Sequence, residues 1–429
     1  MTKPLRLGIA GLGTVGVGVV RIIQDHGSLL CDRTGRLISI TAVSARTRDK
    51  DRGVDLSGYA WEDDPVVLAR RDDVDVFLEL IGGADGPAKA ATEAALEAGK
   101  DVVTANKAML AIHGQTLAER AETAGVSLRF EAAVAGGIPC IKALTEGLAG
   151  NAITRISGVM NGTCNYILTR MESAGLPYAE VFEEARALGY LEADPTLDVG
   201  GIDAGHKLAI LASIAFGTQV DFEGVQLQGI ERVSIDDIHR ARDMGYRIKL
   251  LGEARRTAAG VEQSMRPTLV PADSPLGQLE GGTNMVVIEG DAVGQVVMRG
   301  AGAGEGPTAS AVMADVADIA RGLRIPPFGQ PANTLATARR SNSATECAHY
   351  LRLSLRDEAG ALARVATVLG QNGISIDRMR QYDHEAGDAP VLIVTHPCAP
   401  TALSAALSGV VETGVVTGEP VALQIQVPS

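Results

Sequence analysis

Runs of apolar residues alternate with helical patterns over the first third of the chain. The apolar runs predict strands at 5–10, 38–44, 74–80, 101–104 and 126–130. Helical patterns lie between them, including an alanine-rich one over 87–98. Strands that are continuously apolar are typical of a parallel sheet whose two faces are both covered by helices. The pattern therefore predicts a Rossmann-type α/β domain over 1–135.

The pattern changes from about residue 138. ISGVMNGTCNYIL, at 156–168, predicts a strand, a polar loop and a helix, and another helix is predicted over 178–188. Short apolar runs at 268–270 and 284–289 predict strands of a mixed sheet. A second glycine-rich turn, RGAGAGEG, leads into a helix that ends near 322. It either brings backbone amides to a ligand or returns the chain to the first domain, and the two are compatible. We expect an α+β substrate-binding and catalytic domain over 136–301, with 302–325 completing the first domain.

The last part of the chain predicts a separate small domain. Residues 326–348 are rich in Pro, Asn, Ala and Ser, which is typical of a linker. After it come a strand, a helix, two strands, a helix and a strand. This βαββαβ order predicts a ferredoxin-like domain over 349–429.

Composition excludes several classes of partner. The net charge is −13 and no basic stripe is present, so duplex nucleic acid and anionic membranes are not expected ligands. No apolar run approaches the length of about 18 residues that a membrane-spanning helix requires. The five cysteines are scattered and form no CxxC pair, which argues against a disulfide framework or a zinc site. We expect a cytoplasmic protein.

The motif GLGTVG follows the first predicted strand and opens the first helix. In a dinucleotide-binding turn Gly11 permits the tight bend, Gly13 lets the backbone approach a pyrophosphate, and Gly16 lets helix and strand pack closely. The helix N-terminus favours the phosphate charge. The motif in this context predicts dinucleotide binding, whereas alone it would also fit a plain turn.

The residues at the end of the second strand bear on the choice between NAD and NADP. An NAD site commonly carries Asp or Glu here, but this chain reads SARTRDK. A basic residue such as Arg46 suits a 2′-phosphate, so NADP is favoured and NAD is the alternative. Arg46 and Arg48 would otherwise be solvated loop charges.

One stretch gathers candidate catalytic side chains. GYLEADPTLDVGGIDAGHK, at 189–207, places several acids and a lysine just before the apolar run LAILASIAF. Asp203 and Lys207 are four apart and share one face of a helix. Reduction of an aldehyde by hydride produces an alkoxide, which needs a proton donor and positive charge nearby. The alternative is an ordinary ion pair on a helix.

Together these segments resemble homoserine dehydrogenase over nearly the whole chain. The similarity rests on GLGTVG, FLELIGG, VVTANKAMLA, FEAAVAGGIPCIK, GVMNGTCNYIL and EARALGYLEADPTLDVGGIDAGHK, in that order. The tail is similar to an ACT domain through DEAGALARVATVLGQNGISI. The resemblance implies NAD(P)-linked interconversion of L-homoserine and L-aspartate 4-semialdehyde, a step toward threonine, methionine and isoleucine.

The resemblance also implies roles for individual residues. Lys207 matches the lysine that exchanges a proton with the substrate, and Asp203 matches the acid beside it. Glu192 matches a substrate-binding acid and Asp198 a supporting one. The carboxylate of an amino-acid substrate also needs amides and hydroxyls, for which Gly162 and Thr163 are the candidates. Lys107 matches the lysine next to nicotinamide and substrate. Together with the glycine-rich turns and the basic strand end, this gives as candidate cofactor-binding residues Gly11, Gly13, Thr14, Val15, Gly16, Arg46, Thr104, Lys107 and Gly304. A monovalent cation, sodium, is implied at Glu131, Val134, Gly136 and Ile138, where oxygen donors would suit a hard ion.

Regulation and assembly follow from the same resemblance. We expect the ACT-like tail to bind an amino-acid effector, with threonine the leading candidate, and the chain to form a homodimer or homotetramer. Deleting the tail should then remove inhibition but leave activity. A different possibility is that the tail only aids oligomerisation.

Two other functions remain compatible with parts of the sequence. A dinucleotide-binding sensor without turnover would need GLGTVG but gives no reason for the acid–lysine cluster. A thioester-forming semialdehyde dehydrogenase would need a nucleophilic cysteine, for which Cys164 is the candidate, although a buried structural thiol is the simpler interpretation.

Overall fold

The computed structural model describes residues 3–191, 194–341, 345–382 and 388–426. The first domain is built on a six-stranded parallel sheet with the order β3-β2-β1-β4-β5-β6, which is the doubly wound order of dinucleotide-binding domains. Its strands are β1 (Leu5–Ala10), β2 (Ile38–Ser44), β3 (Ala60–Glu62), β4 (Val76–Glu79), β5 (Asp101–Thr104) and β6 (Leu128–Arg129).

Helices cover both faces of this sheet. They are α1 (Thr14–Thr34), α2 (Pro65–Arg70), α3 (Pro87–Glu97) and α4 (Lys107–Ala124), and α11 (Glu305–Arg321) returns from much later in the chain. Helix α11 packs on α1 at Gly18, where an added Cβ would lie 2.9 Å from the Ala309 side chain. The second glycine-rich turn therefore does return the chain to the first domain.

The second domain carries a sheet that continues into the tail. The catalytic-domain strands are β7 (Ile153–Val159), β8 (Val225–Leu227), β9 (Tyr246–Thr257), β10 (Gly260–Pro271), β11 (Thr283–Gly290) and β12 (Gly294–Ala301). The helices are α5 (Cys140–Lys142), α6 (Gly162–Ala174), α7 (Tyr178–Ala187), α8 (Thr196–Val199), α9 (Ile202–Phe216) and α10 (Ile235–Asp243). Helix α9 is almost wholly apolar after Lys207, and most of its residues are buried.

The tail has the predicted βαββαβ order. Its elements are β13 (His349–Arg356), α12 (Ala361–Gln371), β14 (Ile376–Gln381), β15 (Asp388–Thr395), α13 (Pro400–Glu412) and β16 (Val421–Ile425). Strands β13 to β16 pair antiparallel in the order β16-β13-β15-β14, which is the ferredoxin-like arrangement.

The tail is joined to the catalytic domain by main-chain hydrogen bonding. Strand β16 pairs in parallel with β10 at Thr268 and Leu269, so one ten-stranded sheet runs from β12 to β14. Strand β8 covers the other half of the same edge of β10. The two domains were predicted separately, and their common sheet was not anticipated.

A buried carboxylate strengthens this junction. Asp237 is fully buried in the first turn of α10, where it completes a capping box with Ser234. It also accepts hydrogen bonds from Tyr350 Oη at 2.9 Å and from Arg352 Nε at 2.6 Å, both on β13. A catalytic-domain helix is thereby tied to the tail.

The predicted linker is packed rather than free. The amide of Ala332 donates to the carboxylate of Glu122 on α4, and the amide of Ser341 donates to the carbonyl of Val261 on β10. No helix in the described part of the chain has the length and apolar character needed to cross a membrane.

Candidate active site

A cavity of about 710 Å³ lies between the first glycine-rich turn and the catalytic domain. It is bounded by the starts of helices α1, α4, α6 and α11 and by the face of α9 that carries the acid–lysine cluster. Its lining includes Thr14, Val15, Lys107, Gly136, Gly162, Thr163, Asp198, Asp203, Lys207 and Gly304. The structure thus brings together the predicted cofactor turn and the predicted catalytic residues.

The three motif glycines occupy the environments that their roles require. Gly11 has φ of +101°, and an added Cβ would lie 2.3 Å from the carbonyl oxygen of Leu80. A Cβ on Gly16 would lie 2.0 Å from the carbonyl oxygen of Gly11. A Cβ on Gly13 would meet no atom within 4 Å, so Gly13 leaves open space at the start of α1. That space is where a pyrophosphate would approach the helix N-terminus.

The end of β2 presents a basic side chain to solvent. Arg46 is exposed two residues after β2 and has no polar partner within the described residues. Its neighbour Arg48 instead lies 6.0 Å from the centre of the Trp61 ring. Arg52 closes the loop by donating to the carbonyls of Leu12 and Lys50.

Two lysines share one carboxylate at the centre of the cavity. Lys207 Nζ lies 2.6 Å from Asp203 Oδ2, and Lys107 Nζ lies 2.9 Å from Asp203 Oδ1. Lys207 Nζ also donates to the carbonyl oxygen of Met160 at 2.9 Å. These are the two acceptors of Lys207 within the described residues, so one of its three N–H groups remains for a ligand.

The electrostatic balance keeps Asp203 ionised. Burial alone would raise the pKa of this carboxyl, but the ammonium groups of Lys207 and Lys107 hold the pKa well below its ordinary value. Both carboxylate oxygens are taken by lysines. Asp203 therefore positions the lysines and balances their charge.

Asn161 connects the two aspartates of the site. Its Nδ2 lies 3.0 Å from Asp198 Oδ1 and 3.4 Å from Asp203 Oδ2. Its Oδ1 accepts the amide of Cys164, which caps α6. One side chain thus fixes the start of α6 against the aspartates of α8 and α9.

The start of α6 offers free donors to the cavity. The amides of Gly162 and Thr163 belong to the first turn of α6, where no helical acceptor is available. The hydroxyl of Thr163 donates to the carbonyl of Tyr190 at 2.9 Å, so the backbone supplies the open donors. Glu192, a further predicted substrate ligand, lies outside the described residues.

The hydroxyl of Thr104 is hydrogen-bonded within the protein. It donates to Glu79 Oε2 at 2.5 Å and accepts the amide of Asn106. Asn106 caps α4, whose first residue is Lys107. Thr104 thus helps to place Lys107.

The predicted cation loop is buried between the two domains. The carboxylate of Glu131 accepts the amides of Ile141 at 3.0 Å and Lys142 at 2.8 Å. Burial, together with Asp315, raises the pKa of Glu131 to about 7. The chain between Val134 and Ile138 makes a sharp turn at Ala135, a non-glycine residue with φ of +54°. Val134, Gly136 and Ile138 are buried there, and main-chain oxygens are ligands of the kind that hard cations prefer.

The structure argues against a nucleophilic role for Cys164. Its side chain is fully buried and its Sγ donates to the carbonyl of Asp198 at 3.3 Å. Burial, followed by the charge of Asp198, raises the pKa of this thiol well above its ordinary value. A thiol in this state is a poor nucleophile.

Two lining residues were not selected from the sequence. Asn284 is buried on β11, and its Oδ1 accepts no hydrogen bond within the described part of the chain. Tyr190 is exposed and stacks on Tyr166 with ring centres 4.5 Å apart. Tyr190 lies at the start of the 189–207 stretch but was given no role there, and Asn284 was placed only in a predicted strand. Only the folded chain brings them together at the cavity.

A separate cavity of about 710 Å³ lies in the tail. It is formed by the turn before α12 and by the facing strands, and its lining includes Asp357, Gly360 and Leu362. Gly360 precedes α12 with φ of +89°. The predicted effector turn therefore borders an open space.

Comparison with known proteins gives concordant matches along the chain. The family "Homoserine dehydrogenase, NAD binding domain" matches residues 11–131, "Homoserine dehydrogenase" matches 139–317, and "ACT domain" matches 349–408. The homoserine dehydrogenase of Neisseria gonorrhoeae is 43% identical over 95% of each chain, and that of Pseudomonas aeruginosa is 41% identical over 99% of each.

Solved structures agree with these matches. A homoserine dehydrogenase from Thiobacillus denitrificans has a TM-score of 0.94 and 38% identity, covering 99% of this chain and 98% of that one. A hyperthermophilic archaeal homoserine dehydrogenase in complex with NADPH has a TM-score of 0.64 and 27% identity. It covers 75% of this chain and 99% of its own.

Proposed function

The chain belongs to the homoserine dehydrogenase family, and we propose that Lys207 exchanges the proton when its cavity brings homoserine and NADP together. The protein is an NAD(P)-dependent oxidoreductase that interconverts L-homoserine and L-aspartate 4-semialdehyde, with an ACT domain at its C-terminal side. The observation that carries the proposal is the Lys107–Asp203–Lys207 cluster beside the glycine-rich turn.

The dinucleotide, when bound, accepts or supplies the hydride at its nicotinamide ring. In the reducing direction the aldehyde carbon gains hydride and its oxygen becomes an alkoxide, to which Lys207 Nζ donates a proton. In the oxidising direction Lys207 takes the hydroxyl proton. The N–H group that Lys207 does not donate to Asp203 or Met160 is the one that takes part in this proton transfer. Lys107 adds positive charge beside the developing alkoxide.

The carboxylate and the ammonium of the substrate are carried by the same carbon, and they fit donors and acceptors that lie near each other at the start of α6. The carboxylate suits the open amides of Gly162 and Thr163 at the start of α6. The ammonium suits carboxylates, for which we propose Asp198 and Glu192. Asp203 is less suited, because both of its oxygens already bind lysines.

A direct assay tests this function against a sensor without turnover. Purified protein is mixed with homoserine and NADP⁺, and absorbance at the reduced-nicotinamide band is followed. Steady formation of reduced cofactor that depends on homoserine supports the enzyme. Cofactor binding without such formation would favour the sensor.

We propose that Arg46 makes NADP the preferred cofactor. Arg46→Ala is expected to raise the KM for NADP about tenfold, because one charge-assisted hydrogen bond to a phosphate is lost. The KM for NAD should change by less than about twofold. Arg48→Ala is the matched control, since Arg48 faces Trp61. Equal effects of Arg46→Ala on both cofactors in steady-state titrations would contradict the proposal.

We also propose the cation site. Glu131 with the main-chain oxygens of Val134, Gly136 and Ile138 would hold sodium, which would brace the turn next to Gly302 and the cofactor loop. The support is the buried oxygen-rich turn and the close packing of Gly136 on Gly302, where an added Cβ would come within 2.6 Å of the main chain. We further propose a cytoplasmic homodimer or homotetramer.

An ACT domain suggests binding of a small amino acid, and we propose threonine as the effector. Threonine at millimolar concentration is expected to inhibit the full-length enzyme. Asp357→Ala, at the turn that borders the tail cavity, should raise the half-inhibitory concentration about tenfold through loss of a charge-assisted contact, with the uninhibited rate unchanged. Dose–response curves for the two proteins test this. An enzyme that ignores threonine would refute the effector, and one whose inhibition survives Asp357→Ala unchanged would refute the site.

A further inference from the structure

Lys249 is a buried lysine that none of the roles above uses. It lies on β9 with 2% of its surface exposed. Its Nζ donates to Asn165 Oδ1 at 3.0 Å and to the carbonyl oxygen of Leu279. No carboxylate lies within ion-pair distance of it among the described residues. The nearby acids Glu172 and Glu280 bind Arg247 instead.

Burial of a lysine without a carboxylate partner is unfavourable, so we expect this side chain to have a task that offsets the cost. Burial, aided by Arg247, lowers the pKa of Lys249 to about 8. An apolar side chain of similar size would avoid the desolvation of an ammonium group. It would not bind two oxygen acceptors at once, which a lysine with its three donors can do.

Both acceptors of Lys249 lead to the substrate end of the active site. Asn165 lies on α6, in the turn that begins at Gly162. Its Nδ2 donates to the carbonyl of Gly281 at 2.7 Å. Leu279 is fully buried in the segment 272–282, which connects β10 to β11. Lys249 and Asn165 therefore both bind the segment 272–282, and together they hold it against α6.

That contact borders the cavity directly. An added Cβ on Gly162 would lie 2.5 Å from the carbonyl oxygen of Gly282, so the segment is seated against the start of α6. Gly162 and Gly282 both line the cavity. A shift of the segment would change the space beside the open amides of Gly162 and Thr163.

We propose that Lys249 is a positioning residue for substrate binding, which acts by clamping the segment 272–282 onto the start of α6 through Asn165 and Leu279. The inference rests on the proposed substrate position at those amides. Lys249 touches neither substrate nor cofactor, and its effect is confined to the substrate end of the cavity.

The test separates this role from a purely structural one. Lys249→Met keeps an unbranched side chain, one atom shorter than that of lysine, and removes its donors. We expect the KM for homoserine to rise about tenfold, with the KM for NADP within about twofold, as loss of one strong positioning contact implies. Lys100→Met is the matched control, because Lys100 is also a buried lysine that donates to a main-chain carbonyl, that of Arg71, far from the cavity. It should lower the melting temperature and leave both KM values unchanged.

A second variant guards against misfolding of the first. Asn165→Ala removes the other half of the clamp, and the double variant should show no further rise in the KM for homoserine, since both changes release the same segment. A folded Lys249→Met enzyme with the wild-type KM for homoserine would overturn the proposal, as would an equal rise in both KM values. Asp198→Ala, tested in parallel, reports on the substrate position itself. If Asp198→Ala leaves the KM unchanged, the proposed subsite fails independently of Lys249.

Discussion

Replacing Lys207 with methionine is expected to lower kcat for homoserine oxidation about 10³-fold. The substitution removes both the group that exchanges the proton and a positive charge beside the alkoxide, and each such contribution is worth about 10²- to 10⁴-fold in enzymes. Binding of NADP should change by less than about twofold, because the glycine-rich turn and Arg46 are untouched. Steady-state absorbance gives kcat, and fluorescence titration with the reduced cofactor gives its dissociation constant.

A neighbour on the same helix provides the control. His206 packs against Phe222 with ring centres 4.2 Å apart and, unlike Lys207, does not line the cavity. His206→Ala should cost stability but keep kcat within a few-fold. The assignment of Lys207 would be wrong if Lys207→Met turned over homoserine at the wild-type rate, or if both variants lost activity equally.

The largest expected effect on stability follows removal of Asp237. Asp237→Ala should lower the free energy of unfolding by about 3–5 kcal/mol, because it breaks a buried pair and leaves Arg352 and Tyr350 without their acceptor. It should also weaken any inhibition through the ACT domain, since those two residues tie α10 to β13. Denaturant unfolding and threonine dose–response curves measure the two consequences.

Asp236 offers a matched comparison for this change. It lies in the same first turn of α10 but is exposed. Asp236→Ala should alter the free energy of unfolding by less than about 0.5–1 kcal/mol, the range for surface and helix-dipole effects. If the two alanine variants unfold at the same denaturant concentration, the junction at Asp237 does not hold the domains together.

The dinucleotide-binding half of the fold could be predicted closely. Strands β1, β2 and β5 have the predicted bounds, because strands buried on both faces produce uninterrupted apolar runs. Strand β3 was missed since its three residues are only partly buried and form no such run. The strand predicted at 126–130 proved to be the two-residue β6. Of the two long strands, β10 was recognised only at 268–270 and β9 was given no bounds, because each carries polar and apolar residues in no simple alternation.

The candidate site, too, could be predicted from the sequence only in part. Asp203 and Lys207 could be paired from their spacing alone, because four residues span one helical turn. The second lysine on that carboxylate, Lys107, comes from another domain, and its distance to Asp203 depends on how the domains close. Asn161 was visible as part of a polar loop, but its bonds to two aspartates required the fold. Lys249 gave no signal, since a lone lysine within a strand usually predicts a solvent-facing position.

The common sheet also bears on how such chains exchange domains in evolution and in protein engineering. The ACT domain supplies β16 as the neighbour of β10 at Thr268 and Leu269, so it is built into the architecture of its host rather than appended to it. A chimera that receives a foreign ACT domain must reproduce that strand pairing as well as the Asp237 contact. A lineage that discards the domain must cover the bare edge of β10, since unpaired strand edges promote aggregation. Selection should therefore preserve the edge of β10 and the tail together, as one inherited unit.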